Sequence, residues 1–284
     1  MTRRELLDDA VARLEEAGVE GARRSAEWII EDATGATRTD LYSRPDVVVE
    51  PAEAALVERY VARRATGEPV QYVLGHADFY GLRLVVTPDV LIPRPETEEV
   101  VEAALEVVGD APWVLDVGTG SGAIALALKL ERPGAEVFAV DVSAAALEVA
   151  AGNAERLGLE VVLVRADALQ PAFADEVPPT FDLIVSNPPY VPDAERHGLQ
   201  LEVAHEPDGA LFVSDADPLV FYRALVGHAL RLLHPGGWLV AETHADYGQD
   251  VGRLWREAGL VEVEVRPDLA GRDRIAFGRK KVAG

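Results

Sequence analysis

Apolar residues recur at helical spacing through the first part of the chain and near strand spacing later, and this change of period divides it. Leu6, Leu7, Ala10, Val11 and Leu14 form one stripe over residues 3–17, and Ala26, Trp28, Ile29 and Ile30 repeat it over 22–33, with Gly18 and Gly35 as stops. A third helix is predicted from Pro51, whose missing N–H costs nothing in a first turn, through Ala55, Leu56, Tyr60 and Val61 to Gly67. Residues 1–70 therefore read as a small helical bundle, with Arg63 and Arg64 expected on a solvated face. Between Tyr72 and Thr87 the period turns toward two: Val70, Tyr72 and Leu74, then Phe79, Leu82, Leu84 and Val86, around Gly75 and Gly81. Residues 71–94 are expected to form a hairpin linker. Pro93 and Pro95 stiffen the chain about Arg94, and Glu96, Glu98 and Glu99 follow in a helical first turn, where the helix dipole favours acids.

From Trp113 strand-like and helix-like segments alternate. Strands are predicted at 113–117, 137–141, 161–164, 181–185, 238–242, 261–265 and 275–277, and helices near 123–130, 144–157, 218–233 and 249–258. Such alternation implies a mostly parallel sheet with helices on both faces. The fold class is thus α/β, a Rossmann-like seven-stranded sheet over residues 95–284 with a small N-terminal helical domain. Residues 191–213 lack a clear period, and a long irregular segment beside a strand end suits an active-site lid.

Charge narrows the partners. With 27 basic and 49 acidic residues in 284, the formal net charge of -22 argues against stable binding to a nucleic-acid backbone. The absence of cysteine excludes disulfides and thiolate chemistry, and the six histidines show no ligand spacing, so no metal is expected. Glu5, Asp8 and Asp9 follow the N-terminal Met-Thr-Arg-Arg where a signal peptide would be apolar, and no run approaches the ~20 apolar residues of a membrane span. A cytoplasmic location without membrane attachment is the expectation.

Asp116-Val117-Gly118-Thr119-Gly120-Ser121-Gly122 follows a strand and opens a helix, the setting in which glycines let a ligand approach the backbone. Gly118, Gly120 and Ala123 also satisfy a dinucleotide pattern, which brings in a nicotinamide-dependent dehydrogenase as one alternative. Asp116 weighs against it, because a carboxylate at that strand end repels a pyrophosphate and attracts an ammonium such as that of S-adenosyl-L-methionine. Asp141, at the next strand end, is placed to accept ribose hydroxyls, and Asp167, before Ala168, to accept from an adenine amino group.

The apolar strand 181–185 runs into Ser186-Asn187-Pro188-Pro189-Tyr190, where prolines end the ladder and hold Asn187 at a strand's C-terminal end. A planar NH₂ group is a poor nucleophile and has to be held. The Asn187 side-chain oxygen can accept one of its hydrogens and the Pro188 carbonyl the other, while Tyr190 offers a ring on which to stack. Asn187, Pro188 and Tyr190 are therefore the candidate catalytic residues. This turn suits a glutamine amide and a base amine equally, so a DNA or RNA exocyclic-amine methyltransferase is the other alternative.

Asn187-Pro188-Pro189-Tyr190 with the Asp116–Gly122 loop resembles the amino-methyltransferases. Leu91-Ile92-Pro93-Arg94-Pro95-Glu96-Thr97-Glu98, with Glu68-Pro69-Val70, Phe79-Tyr80-Gly81 and the helical N-terminus, resembles the bacterial release factor glutamine methyltransferases over nearly the whole chain. The resemblance implies a class I S-adenosylmethionine-dependent methyltransferase acting on the glutamine amide of the Gly-Gly-Gln motif in class I peptide chain release factors. It further implies cofactor contacts by Gly118 to Gly122, Asp141, Ala168 and Asn187, and substrate contacts by Asn187, Pro188, Pro189 and Tyr190. Phe79, Arg94 and Glu206 join the expected substrate-binding set, and residues 1–70 are expected to recognise the release factor. His205-Glu206-Pro207 stands where the family commonly has Phe-Glu-Pro, and Thr243-His244-Ala245-Asp246 where it soon reaches glycine.

Overall fold

Thr2 and Glu5 open the first helix by exchanging hydrogen bonds between side chain and backbone, which satisfies two N–H groups that a helix start leaves orphaned. The computed structural model describes residues 1–282. Among these the chain forms two compact units, Met1–His76 together with Gln200–His205, and the remaining described residues.

The first unit packs α1 (Arg3–Glu16), α2 (Ala22–Thr34), α3 (Arg38–Ser43), α4 (Pro51–Arg64) and α5 (Val70–Leu74) around Leu14, Ile29, Ile30, Val57 and Val61, all buried. Two expectations fail here. Val70, Tyr72 and Leu74 lie in a one-turn helix, α5, instead of a strand. The Gly75 N–H closes that turn on the Gln71 carbonyl at 2.7 Å, and the Arg63 guanidinium takes the Tyr72 and Val73 carbonyls, both at 3.0 Å. Such long-range bonds leave no periodicity to read. Arg64 is buried instead of solvated, donating to Ser25 Oγ, to the Glu68 carbonyl and to Glu202 Oε1 at 2.5 Å.

β1 (His76–Phe79), all but its first residue in the second unit, and β2 (Leu82–Val85) form a hairpin through Tyr80 and Gly81, both at positive φ, the turn whose twist matches its strands. The expected linker 71–94 is thus shared between the units, α5 in the first and the hairpin in the second. After α6 (Pro95–Val107) come β3 (Trp113–Val117), α7 (Ala123–Glu131), β4 (Glu136–Asp141), α8 (Ala144–Leu157), β5 (Val162–Arg165) and β6 (Phe181–Ser186). Next, β7 (Val191–Pro192), α9 (Asp208–Leu211) and β8 (Phe212–Val213) frame the expected lid. The chain finishes with α10 (Val220–Leu232), β9 (Leu233–Glu242), α11 (Gly248–Ala258), β10 (Val261–Pro267) and β11 (Asp273–Arg279).

Seven strands make one sheet in the order β10-β11-β9-β6-β3-β4-β5, parallel except that β11 runs antiparallel to both its neighbours. Successive residues face opposite layers, so Val114, Val137, Leu183 and Val185 join one core while Leu115, Val140 and Ile184 join the other. The strand order reverses between β3 and β6, the point in open α/β sheets where ligands bind at carboxyl ends. The insertion of antiparallel β11 between β9 and β10 departs from the doubly wound dinucleotide order and weighs against the nicotinamide alternative. The lid is not irregular: two 3₁₀ turns and α9 fill it, and β7 pairs with β8 at its ends. Short turns of this kind bury no periodic stripe, which is why periodicity missed them.

Candidate active site

The carboxyl ends of β3, β4 and β6 open onto a cavity of about 350 Å³ lined by Gly118, Gly120, Asp141, Asp167, Ala168, Asn187, Pro188 and Pro189. Six of them follow from the residues themselves, whereas Ala168 and the substrate contact of Pro189 follow from the family resemblance. Residues that neither singled out complete the wall: Leu91 before α6, Ser143, Pro207, Gly209 and Ala210 from the lid, and Phe221 and Leu225 on α10. Gly118 and Gly120 have φ of 77° and 55°, and a Cβ at either would meet nothing within 4 Å, so conformation and not crowding calls for glycine. The open space over the loop is what a close ligand needs.

Asp141 holds the loop and still has capacity for a ligand. Its Oδ2 accepts the Gly120 N–H and its Oδ1 the Ser143 N–H, each at 2.9 Å, which leaves a lone pair on each oxygen for vicinal hydroxyls. Asp167 turns its oxygens to the Leu169 N–H and the Gln170 side chain, at the cavity edge. Apolar walls, a pair of acids and an exposed glycine backbone fit the adenosine and amino-acid ends of S-adenosylmethionine.

Asp116 has a different place from the one expected. It is fully buried behind the loop and does not line the cavity: Oδ2 accepts from Thr119 Oγ1 at 2.7 Å and from the Ala125 N–H at 3.2 Å, and Oδ1 has no partner. Burial pushes its carboxyl up to about 7. It braces the turn from β3 into α7; the ammonium argument fails because the side chain points into the protein. Thr119 and Ser121 are buried with it, and a Cβ on Gly122 would stand 3.1 Å from Leu126 Cδ1, so these three shape the loop from behind.

Around the clamp the hydrogen bonds are directional. Asn187 Nδ2 donates to Thr97 Oγ1 at 3.0 Å, Thr97 Oγ1 donates to Glu242 Oε2 at 2.6 Å, and Tyr190 OH donates to Glu242 Oε1 at 2.9 Å. Burial raises the Tyr190 hydroxyl and the Glu242 carboxyl, the neighbouring Glu242 charge adding to the effect on Tyr190. Among the described residues no donor reaches Asn187 Oδ1, and the Pro188 carbonyl accepts no hydrogen bond. Tyr190 does not line the cavity: its hydroxyl is held by Glu242, its ring packs against the second core layer instead of offering the expected stacking face, and that ring meets His244 edge-on at 6.0 Å. The unusual Thr243–Asp246 stretch therefore adds an aromatic neighbour to the clamp.

Three expected substrate residues are placed otherwise. Phe79 is 1% exposed within the core cluster that holds Leu84 and Ala104, since its strand packs inward, and it does not line this cavity. Arg94 and Glu206 meet each other: Glu206 Oε1 accepts from Arg94 Nη2 at 2.5 Å and Oε2 from the Ile92 N–H at 3.1 Å. Both are committed to fastening the lid's second half to the proline segment. His205 is exposed and belongs to the first unit, beside Gly67.

Asn153 escaped the sequence reading. It is buried on α8, accepts the Val85 N–H at 2.7 Å, and donates to the Val85 carbonyl at 3.0 Å and to the Ser121 carbonyl at 2.9 Å, tying hairpin and glycine loop together. The available signal was an asparagine on the stripe of Ala146 and Ala150, where an apolar residue belongs. Likewise Glu242 is an acid at a strand's C-terminal end, the very cue that singled out Asp141.

Residues 5–75 match the PrmC N-terminal domain family and residues 101–206 the methyltransferase small domain family. The release factor glutamine methyltransferase of Geobacter sulfurreducens is 42% identical over 278 residues, covering 98% of this chain and 96% of that protein. The chain belongs to the release factor glutamine methyltransferase family. Another member of this family, from Moorella thermoacetica, is 44% identical over 288 residues, with 99% of this chain and 100% of that one covered. Among solved structures, a T. thermophilus 16S rRNA methyltransferase in complex with AdoMet and guanosine is 23% identical with a TM-score of 0.52, covering 72% of this chain and 50% of that one. That likeness shows a shared class I methyltransferase fold, as the strand order does.

Proposed function

We propose that this chain methylates the side-chain amide nitrogen of the glutamine in the Gly-Gly-Gln motif of class I peptide chain release factors, acting in the cytoplasm with S-adenosylmethionine as donor. Bound at the cavity, S-adenosylmethionine supplies an electrophilic methyl group on a sulfonium. The observation that carries the reading is the clamp beside that cavity: an Asn187 amide anchored by its nitrogen, with its oxygen and the Pro188 carbonyl both unpaired.

An amide nitrogen gives up little electron density, so positioning does most of the work. Two acceptors with no donors of their own match the two hydrogens of an NH₂ group and fix its plane. Holding a nucleophile in line at about 3 Å removes a large part of the barrier without acid–base assistance. Pro188, Pro189 and Leu91 give the cavity apolar walls beside the clamp. A hydroxyl substrate offers one hydrogen and a carboxylate none, so the clamp discriminates for a planar NH₂.

Family membership assigns that NH₂ to a release factor glutamine. Residues 1–70 and the acidic surface support a protein partner over nucleic acid. Purified protein with labelled S-adenosylmethionine is expected to label a class I release factor, and Asn187→Ala to slow this by roughly 10²-fold, as for a misplaced reacting group. Label in duplex DNA or RNA and none in the release factor overturns the assignment in favour of a base amine.

A further inference from the structure

Glu242 ends β9 with 1% of its surface exposed and does not line the cavity, and its two oxygens accept hydrogen bonds from two different residues of the clamp region. Thr97, in the first turn of α6, is buried as well. A hydroxyl owns one hydrogen. Once Thr97 gives it to Glu242 Oε2 at 2.6 Å, its oxygen can only accept, and the group 3.0 Å away on Asn187 has to be the NH₂ end of the amide. Polarity therefore runs one way, from amide to hydroxyl to carboxylate. Asn187 Oδ1 is left outward as an acceptor.

We propose that Thr97 and Glu242 are positioning residues which set the rotational sense of the Asn187 amide, and so make the site an acceptor for an NH₂ group. Tyr190 is drawn into the same arrangement, because its hydroxyl donates to the other Glu242 oxygen at 2.9 Å. The Tyr222 hydroxyl donates to the Glu242 backbone carbonyl at 3.0 Å and fixes the strand end that carries the carboxylate. Without the relay the amide loses its reason to prefer one face. Turned over, it presents N–H groups that clash with those of a glutamine amide and welcome a carboxylate.

This rests on the glutamine reading above, and one set of assays separates the two. Thr97→Val replaces the hydroxyl by a methyl of the same shape, and Thr97→Ser keeps the hydroxyl. For Thr97→Val we expect kcat on a release factor to fall on the order of 10²-fold, the dissociation constant for S-adenosylmethionine by calorimetry to stay within about threefold, and Thr97→Ser to recover most of the loss. A purely structural role would not move a second readout. Inhibition by a release factor carrying glutamate in place of the target glutamine is expected to strengthen on the order of tenfold in Thr97→Val. Should Thr97→Val fail to fold, Glu242→Gln takes its place, with the same fall in kcat and the same retained cofactor affinity expected. An unchanged kcat in the variant that folds, equal losses in Thr97→Val and Thr97→Ser, or unchanged inhibition by the glutamate form overturns the relay. Failure of the wild-type enzyme to label any release factor overturns the functional reading instead.

Discussion

Asp116 shows how a single buried carboxyl can serve a loop that it does not expose. Its proton is retained in the folded state up to about 7, against an ordinary value of 3.8. An unfolded chain loses that proton near pH 4, so between about pH 4 and about pH 7 the folded state binds the extra proton and stability falls as pH rises. The sign is opposite to that of an ion-paired carboxylate. At about 1.4 kcal/mol per pH unit the whole effect is roughly 4 kcal/mol. Asp116→Asn keeps the shape and removes the titration. Relative to wild type, its unfolding free energy in denaturant is expected to rise from about pH 4 to about pH 8; parallel pH profiles for the two proteins would contradict a buried, proton-retaining Asp116. The residue was legible in the sequence as an acid at a strand end, but its direction was not, because inward and outward acids share the same spacing.

At the scale of elements, the site depends on one helix side chain that joins three pieces of chain. Asn153 reaches from α8 to both polar groups of Val85 in β2 and to the Ser121 carbonyl in the glycine loop. Asn153→Ala leaves a half-buried N–H and two carbonyls without this partner, a loss of about 2–4 kcal/mol when each such group costs 1–3 kcal/mol and water can recover part. Because the Ser121 carbonyl belongs to the loop, cofactor affinity is expected to weaken as well, which calorimetry on the folded variant measures. Loss of stability with cofactor affinity unchanged would separate the hairpin from the site. Elements with strong periods were readable from the chain: α1, α2, α4, α8, α11 and all seven strands of the large sheet lie where the apolar pattern puts them, within a few residues. α3, α5 and the lid turns were not, since their conformations are decided by bonds such as those from Arg63 to the α5 carbonyls.

Across the whole molecule, acidity bears on the class of partner. A net charge of -22 leaves the surface repelling a phosphate backbone, and no helix among the described residues is long and apolar enough to cross a membrane. At about 150 mM salt the protein is expected to leave labelled duplex DNA unshifted on a native gel at micromolar concentration; retention that weakens steeply with added salt would reveal a basic groove that the sequence does not suggest. The fold class and six of these cavity residues were accessible from sequence because strand ends, glycines and a proline turn are local cues, while Ala168 and the substrate contact of Pro189 followed from the family resemblance. The pairing of Arg94 with Glu206, 112 positions apart, and the Thr97–Glu242 bond, 145 apart, had no local cue.

The central proposal is that Asn187 and Pro188 hold a substrate NH₂ group. Mass spectrometry of a class I release factor incubated with the enzyme and S-adenosylmethionine tests that directly, by fragmenting the modified peptide. One added methyl group on the glutamine side chain of the Gly-Gly-Gln motif, absent when Asn187→Ala enzyme is used, is the predicted result. An unmodified glutamine, or a methyl group on any other residue, would contradict it.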